Sequence, residues 1–176
     1  MIQERIEAVE ASLAGLRGRL PGTPVETVLI LRLILFLAHE ISQMLEAQIR
    51  PIGLGEGEFR VLAALFARPD GMGHPSDLCA HATQSPANMS RICDALVERE
   101  LITRLPSDLD RRKTVLQITA KGEELVRGLL PTMFEHLREV GERHSLQERT
   151  HLIGELKRLA ASLETLKNGV PEGPAP

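Results

Sequence analysis

Two short β-like runs, Leu101–Leu105 and Thr114–Thr119, stand alone in a chain whose other segments carry helical spacing. The segment between them, Pro106–Lys113, reads as a loop. One hairpin among helices makes the fold mainly α with a small β-hairpin wing. Three short helices ahead of that hairpin give the layout of a winged helix-turn-helix. The loop is densely charged: Asp108 and Asp110 are followed at once by Arg111, Arg112 and Lys113. The whole chain carries a net charge of −3 and a pI near 6.1. That balance excludes a diffusely basic surface, so a polyanion has to be met by a local patch. With no Trp, no Tyr and only four Phe, extensive stacking on bases is not expected.

The helices punctuate themselves. Met1–Arg19 is amphipathic and ends at Pro21-Gly22; Pro24 opens a second helix that runs to about Arg50. Its first half, around Val28–Ala38, is apolar on all sides, which predicts burial by its own core and by a partner chain. That run is short of the roughly 20 residues a bilayer span needs, and Arg32 interrupts it, so no membrane partner is expected. Phe59, Leu62, Ala63 and Phe66 mark a third helix, and Pro75 starts a fourth. Ser85 can cap a fifth with Pro86 in its first turn. After the hairpin, Thr119 caps a helix to about Arg143 with a kink expected at Pro131. Ser145 and Glu148 form a capping box for the last. These divisions give N-terminal helices over 1–50, a winged domain over 51–120, C-terminal helices over 121–167 and a tail over 168–176 expected to be disordered.

In the fifth helix Met89, Ile92, Cys93 and Leu96 recur every three or four positions and face inward. The opposite face collects Ala87, Asn88, Arg91, Asp94 and Glu98, polar and cationic first, acidic later. That order suits a helix offering its first two turns to DNA, where its dipole also points positive. Ser85, Asn88, Ser90 and Arg91 can bond phosphates or base edges. In the loop, Asp110 can hold a neighbouring arginine ready for the backbone or a minor groove. The competing readings are an ordinary surface helix and a solvated charged turn.

The stretches "PSDLCAHATQSPANMSRICDALVERELI" (75–102) and "SDLDRRKTVLQITAKGEEL" (107–125) resemble the MarR family of bacterial transcription regulators. The resemblance spans roughly residues 25–167 and is strongest towards repressors of Emr-type multidrug efflux operons. It implies a cytoplasmic homodimer with interlocked terminal helices on pseudo-palindromic double-stranded DNA, half-sites about 10 base pairs apart. By position, Ser85, Pro86, Asn88, Ser90 and Arg91 then lie in the recognition helix. Arg112 becomes the minor-groove arginine, Asp110 its orienting partner and Arg111 a contact to phosphate or to an internal acid, with Lys113 completing the cationic wing. Glu100 stands where family members often have Gly. A left-handed backbone there would cost about 1 kcal/mol.

The family places effectors between its dimer helices and the winged domain. Arg32, Phe36 and His39, with Phe59 and Leu62, are the candidates for that pocket, and a small aromatic or hydrophobic acid is the expected ligand. Arg32 could instead pair with an internal acid such as Glu26, or with one across the dimer. Cys79 and Cys93 raise thiol sensing as an alternative, and control of aromatic-compound catabolism is another. No G-x-S-x-G, phosphate loop, G-x-G-x-x-G or H-E-x-x-H occurs. An enzyme, a cofactor and a metal site are therefore not expected.

Overall fold

A computed structural model describes residues 2–106 and 113–169. The order is α1 (Ile2–Arg19), α2 (Val25–Ile49), a 3-10 turn (Arg50–Ile52), α3 (Glu56–Phe66), β1 (Met72–Gly73), α4 (Pro75–Ala82), α5 (Pro86–Glu98), β2 (Ile102–Pro106), β3 (Thr114–Ile118), α6 (Ala120–Glu142) and α7 (Leu146–Gly169). The chain divides into two compact units at Val126/Arg127.

In the first unit α1 lays Ile6, Val9 and the buried Leu13 along α2. Arg5 to Glu40 (2.9 Å) and Arg17 to Glu26 (2.7 Å) flank that seam. Within the single chain α2 leaves large apolar side chains exposed, and the sequence expectation shared its cover between this chain and a partner. Leu35 is 72% exposed and Ile41 57%, because α1 covers only one side of the helix. The apolar run sits in a longer helix of 25 residues that by length and composition alone could cross a bilayer.

The winged portion has a continuous core. Val61, Leu62 and Leu65 of α3 meet Leu78 of α4, Met89, Ile92, Cys93 and Leu96 of α5, and Leu116 of β3, all buried. The sheet order is β1-β3-β2, antiparallel throughout, with Arg104 opposite Leu116 and Gly73 opposite Leu116 on the other side. Sequence reading found two of these strands. β1 is two residues long, too short to show alternation; Arg68 braces it by donating to the Met72 carbonyl at 3.0 Å.

Two junctions fix how the hairpin leaves α5. Glu100 has a φ of 61°, so the left-handed turn suspected there exists without glycine. Thr119 receives a hydrogen bond from the Gly122 amide at 3.1 Å and so caps α6. Its hydroxyl in turn donates to the Glu100 carbonyl at 2.8 Å. α6 stays helical through Pro131.

In the second unit Ser145 and Glu148 close the capping box before α7. The Ser145 amide donates to the Glu148 carboxylate at 2.7 Å, and the Glu148 amide to the Ser145 hydroxyl at 3.2 Å. Asn168 and Gly169, assigned above to the tail, are the last residues of α7; 170–176 lie outside the described residues. No α7 side chain is buried, and Leu152, Ile153, Leu156 and Leu163 are exposed.

Candidate nucleic-acid interface

α4, the turn at Thr83–Ser85 and α5 place one helix end at the surface. Thr83 closes α4 in a left-handed conformation (φ 54°), turning the chain. Ser85 then caps α5, accepting from the Asn88 amide at 3.3 Å, with Pro86 in the first helical turn. The inward row of Met89, Ile92, Cys93 and Leu96 anchors the helix, so its opposite face has to point out. Ser85, Pro86, Ser90 and Arg91 are exposed and Asn88 half-buried.

These side chains are linked. The Asn88 amide nitrogen donates to the Gln84 side-chain oxygen, and Arg91 donates to the Asn88 oxygen at 3.0 and 3.2 Å. A guanidinium held this way loses less rotamer freedom when it meets an anion. Gln84 was missed in the sequence; its place four residues before Asn88 was the available signal. Further along the same face Asp94 accepts from Arg104 of β2 at 2.7 Å. The acid read as keeping the helix tail away from phosphate is therefore also a brace between α5 and the wing.

At the wing base, His74 Nδ1 lies 3.2 Å from the Thr114 carbonyl. An open cleft of about 450 Å³ runs between the start of α4 and the wing, lined by Ser76, Asp77, Lys113 and Thr114 among others. Lys113 is exposed. Asp110, Arg111 and Arg112, the centre of the wing assignment, lie outside the described residues.

The effector candidates are not brought together. Phe59 and Leu62 are buried in the winged core, and His39 is exposed on α2. Arg32 and Phe36 line a cleft against α1 instead. Glu26 does not pair with Arg32: its own backbone hydrogen bond and the Arg17 guanidinium hold its carboxyl below the ordinary carboxylate range. Cys93 is buried, and burial pushes its thiol pKa up, against a smaller opposing influence of Arg104. Among the described residues no cluster of three or more metal-ligating side chains exists.

A family profile described as MarR family matches residues 52–113. The chain is 28% identical to the transcriptional repressor MprA of Escherichia coli over 90% of both chains. It is 30% identical to the HTH-type transcriptional regulator MhqR of Bacillus subtilis, over 74% of this chain and 88% of the relative. A solved structure of Bordetella bronchiseptica BpsR, from work on regulation of its DNA binding by 6-hydroxynicotinic acid, superposes with a TM-score of 0.63. That likeness, at 21% identity over 73% of this chain and 91% of the other, is one of fold.

Proposed function

The chain belongs to the MarR family of transcription regulators, and we propose that it is a cytoplasmic repressor gripping double-stranded operator DNA as a homodimer. The observation that carries the reading is the exposed start of α5, where Gln84, Asn88 and Arg91 form a hydrogen-bonded row beside Ser85 and Ser90. Arg91 would read a base edge or phosphate from the major groove. Arg112, with Asp110 beside it, would enter the minor groove, and Arg111 and Lys113 would meet phosphate.

The apolar exposure of α2, α6 and α7 supports the dimer. Ile30, Leu35 and Ile41 of α2, Phe134 and Leu137 of α6 and Leu156 and Leu163 of α7 are all exposed in the single chain. Soluble monomers rarely leave so much apolar surface uncovered. A second copy covers it without a membrane, which the flanking ion pairs of Arg5 and Arg17 on α2 also disfavour.

We further propose that a small aromatic or hydrophobic acid releases the DNA. The support is Arg32, which has no hydrogen bond or ion pair among the described residues, and the acid that regulates DNA binding in BpsR. Control of a multidrug efflux operon is the favoured role, on the Emr-type resemblance; ring-cleavage genes beside this one would point to aromatic catabolism instead. Thiol sensing is disfavoured by the buried Cys93 and its raised pKa.

The test is a gel shift with the promoter next to the chain's own gene, at two salt concentrations. The wild type should bind, and more weakly at higher salt. Arg91→Ala and Arg112→Ala should each lose affinity. Wild-type affinity in both variants would remove the assignment.

A further inference from the structure

We propose that Arg99, at the opposite end of α5 from the exposed row, is the positioning residue that sets the distance between the two reading helices of the dimer, and so the half-site spacing the protein accepts. This rests on the reading of the protein as a DNA-binding homodimer. It deepens that reading by naming what ties α5 to α2, the helix whose exposed Ile30, Leu35 and Ile41 a second copy covers. The Arg99 guanidinium donates to two successive carbonyls, Ile52 at 2.9 Å and Gly53 at 2.6 Å. Both belong to the turn that follows α2, where Gly53 is left-handed with a φ of 69°. Carbonyls at a helix end lack partners within the helix, and two in succession suit the planar fork of an arginine. Glu58 of α3 stands 3.9 Å from the same guanidinium and accepts from the Gly55 amide at 2.8 Å. Arg99 thus joins the end of α5 to the end of α2 and the start of α3.

Apolar packing alone does not fix this angle. Ile49 and Leu54 are buried on either side of the turn. Apolar contact is non-directional, so it holds α2 against the winged core without setting its tilt. Hydrogen bonds supply the direction: Ser42 of α2 donates to Glu56 of α3 at 3.1 Å, and Arg99 grips the turn itself. The lever is long. α5 places 13 residues between Ser85 and Arg99, so its reading end lies roughly 20 Å from Arg99 at about 1.5 Å per residue. A tilt of about 10° at the turn moves that end by about 3.5 Å, close to the ~3.4 Å rise of one base pair. In a two-fold dimer both reading helices move, so a small freedom of angle becomes a tolerance of half-site separation. Arg99 needs no contact with DNA to act in this way.

The test measures the affinity of the full-length protein for its own promoter operator and for duplexes whose half-sites are moved together or apart by one base pair. Wild type should prefer the natural spacing by roughly tenfold or more. Arg99→Met keeps an apolar stem and removes the fork. It should cut that preference to about threefold or less with the salt dependence of wild type, since no phosphate contact is lost. Arg99→Lys, a single ammonium in place of the fork, should show an intermediate ratio, and carries the test if Arg99→Met does not fold. Ser42→Ala, which breaks the other link and suits a helix, should relax the preference in the same direction. Weaker binding at every spacing with the wild-type ratio kept in both Arg99 variants would mean that the contact only stabilises the fold, and would overturn the proposal. A wild type indifferent to spacing would overturn it too. Binding to none of the duplexes is a different result, which removes the repressor reading and this proposal with it.

Discussion

Arg104 of β2 donates to Asp94 of α5 at 2.7 Å, joining the wing to the exposed face of the recognition-helix candidate. Both side chains are substantially exposed. Such pairs contribute only ~0.2–1 kcal/mol to stability. Their larger effect is on position, because the bond restricts where the wing stands relative to α5. Arg104→Ala and Asp94→Ala should therefore change thermal unfolding little and weaken operator binding more. A double-mutant cycle in DNA affinity should show coupling between the two. Independent effects would mean that the wing is placed by its other contacts.

Glu100 holds a φ of 61°, a conformation that costs a residue with a Cβ on the order of 1 kcal/mol relative to Gly. Its carboxylate recovers part of this by meeting Lys121 at 3.1 Å, but both partners are well exposed. Glu100→Gly should raise the unfolding midpoint, by less than the full ~1 kcal/mol, because Gly also frees the unfolded chain. Chemical denaturation of the two proteins measures this. A lower midpoint in the variant would assign more weight to the Lys121 contact than its exposure suggests.

Gly122 is required for packing rather than for a turn. A Cβ there would stand 2.3 Å from the Leu101 carbonyl oxygen and 2.9 Å from Ile118. Backbone cannot yield as a flexible side chain does, so α6 would have to lift off the strand junction. Gly122→Ala should then destabilise by several kcal/mol, roughly the upper range for single substitutions. The helix-propensity gain of about 1 kcal/mol does not offset that. Gly128, whose added Cβ meets nothing within 4 Å, is the control: Gly128→Ala should stabilise.

Much of this was legible in the chain because it rests on local chemistry. Pro75, Ser85-Pro86, Thr119 and the Ser145–Glu148 pair each start a helix by satisfying or sparing amide groups within a few residues. The inward row of α5 follows from its spacing alone. What escaped depends on pairs distant in sequence. β1 exists because β3, more than forty residues later, offers it an edge. The Arg104–Asp94 brace and the α1–α2 cleft likewise join residues from separate elements. The cover of α2 was only partly legible, because an apolar run reports that a helix will be covered, not by what. Phe59 and Leu62 pack in the winged core; in sequence a core residue and a pocket residue have the same side chain.

The two cysteines should differ in reactivity. Cys93 is buried, and removal from water disfavours its thiolate, raising the pKa above the ordinary value of 9.0. Cys79 is partly exposed. Alkylation of the native protein should modify Cys79 first, and Cys93 at a rate set by opening of the fold. Peroxide at neutral pH should leave DNA affinity unchanged over the time in which an acid effector acts. Rapid labelling of Cys93 in the folded protein would reopen thiol sensing.

Acid should loosen α7 at its start. Glu148 accepts from the Ser145 hydroxyl and amide, and those bonds lower its carboxyl pKa from 4.5. A folded-state pKa below the unfolded one means that the native chain binds fewer protons. The contribution is therefore present above the unfolded value and disappears as pH falls through the lowered native one. Hydrogen exchange at the first-turn amides of α7 should show wild type better protected than Glu148→Ala near neutrality. The two should converge as the pH drops below the carboxylate range, where Ser145 alone caps both. A difference that persisted in acid would show that Glu148 stabilises the helix start by packing rather than by charge.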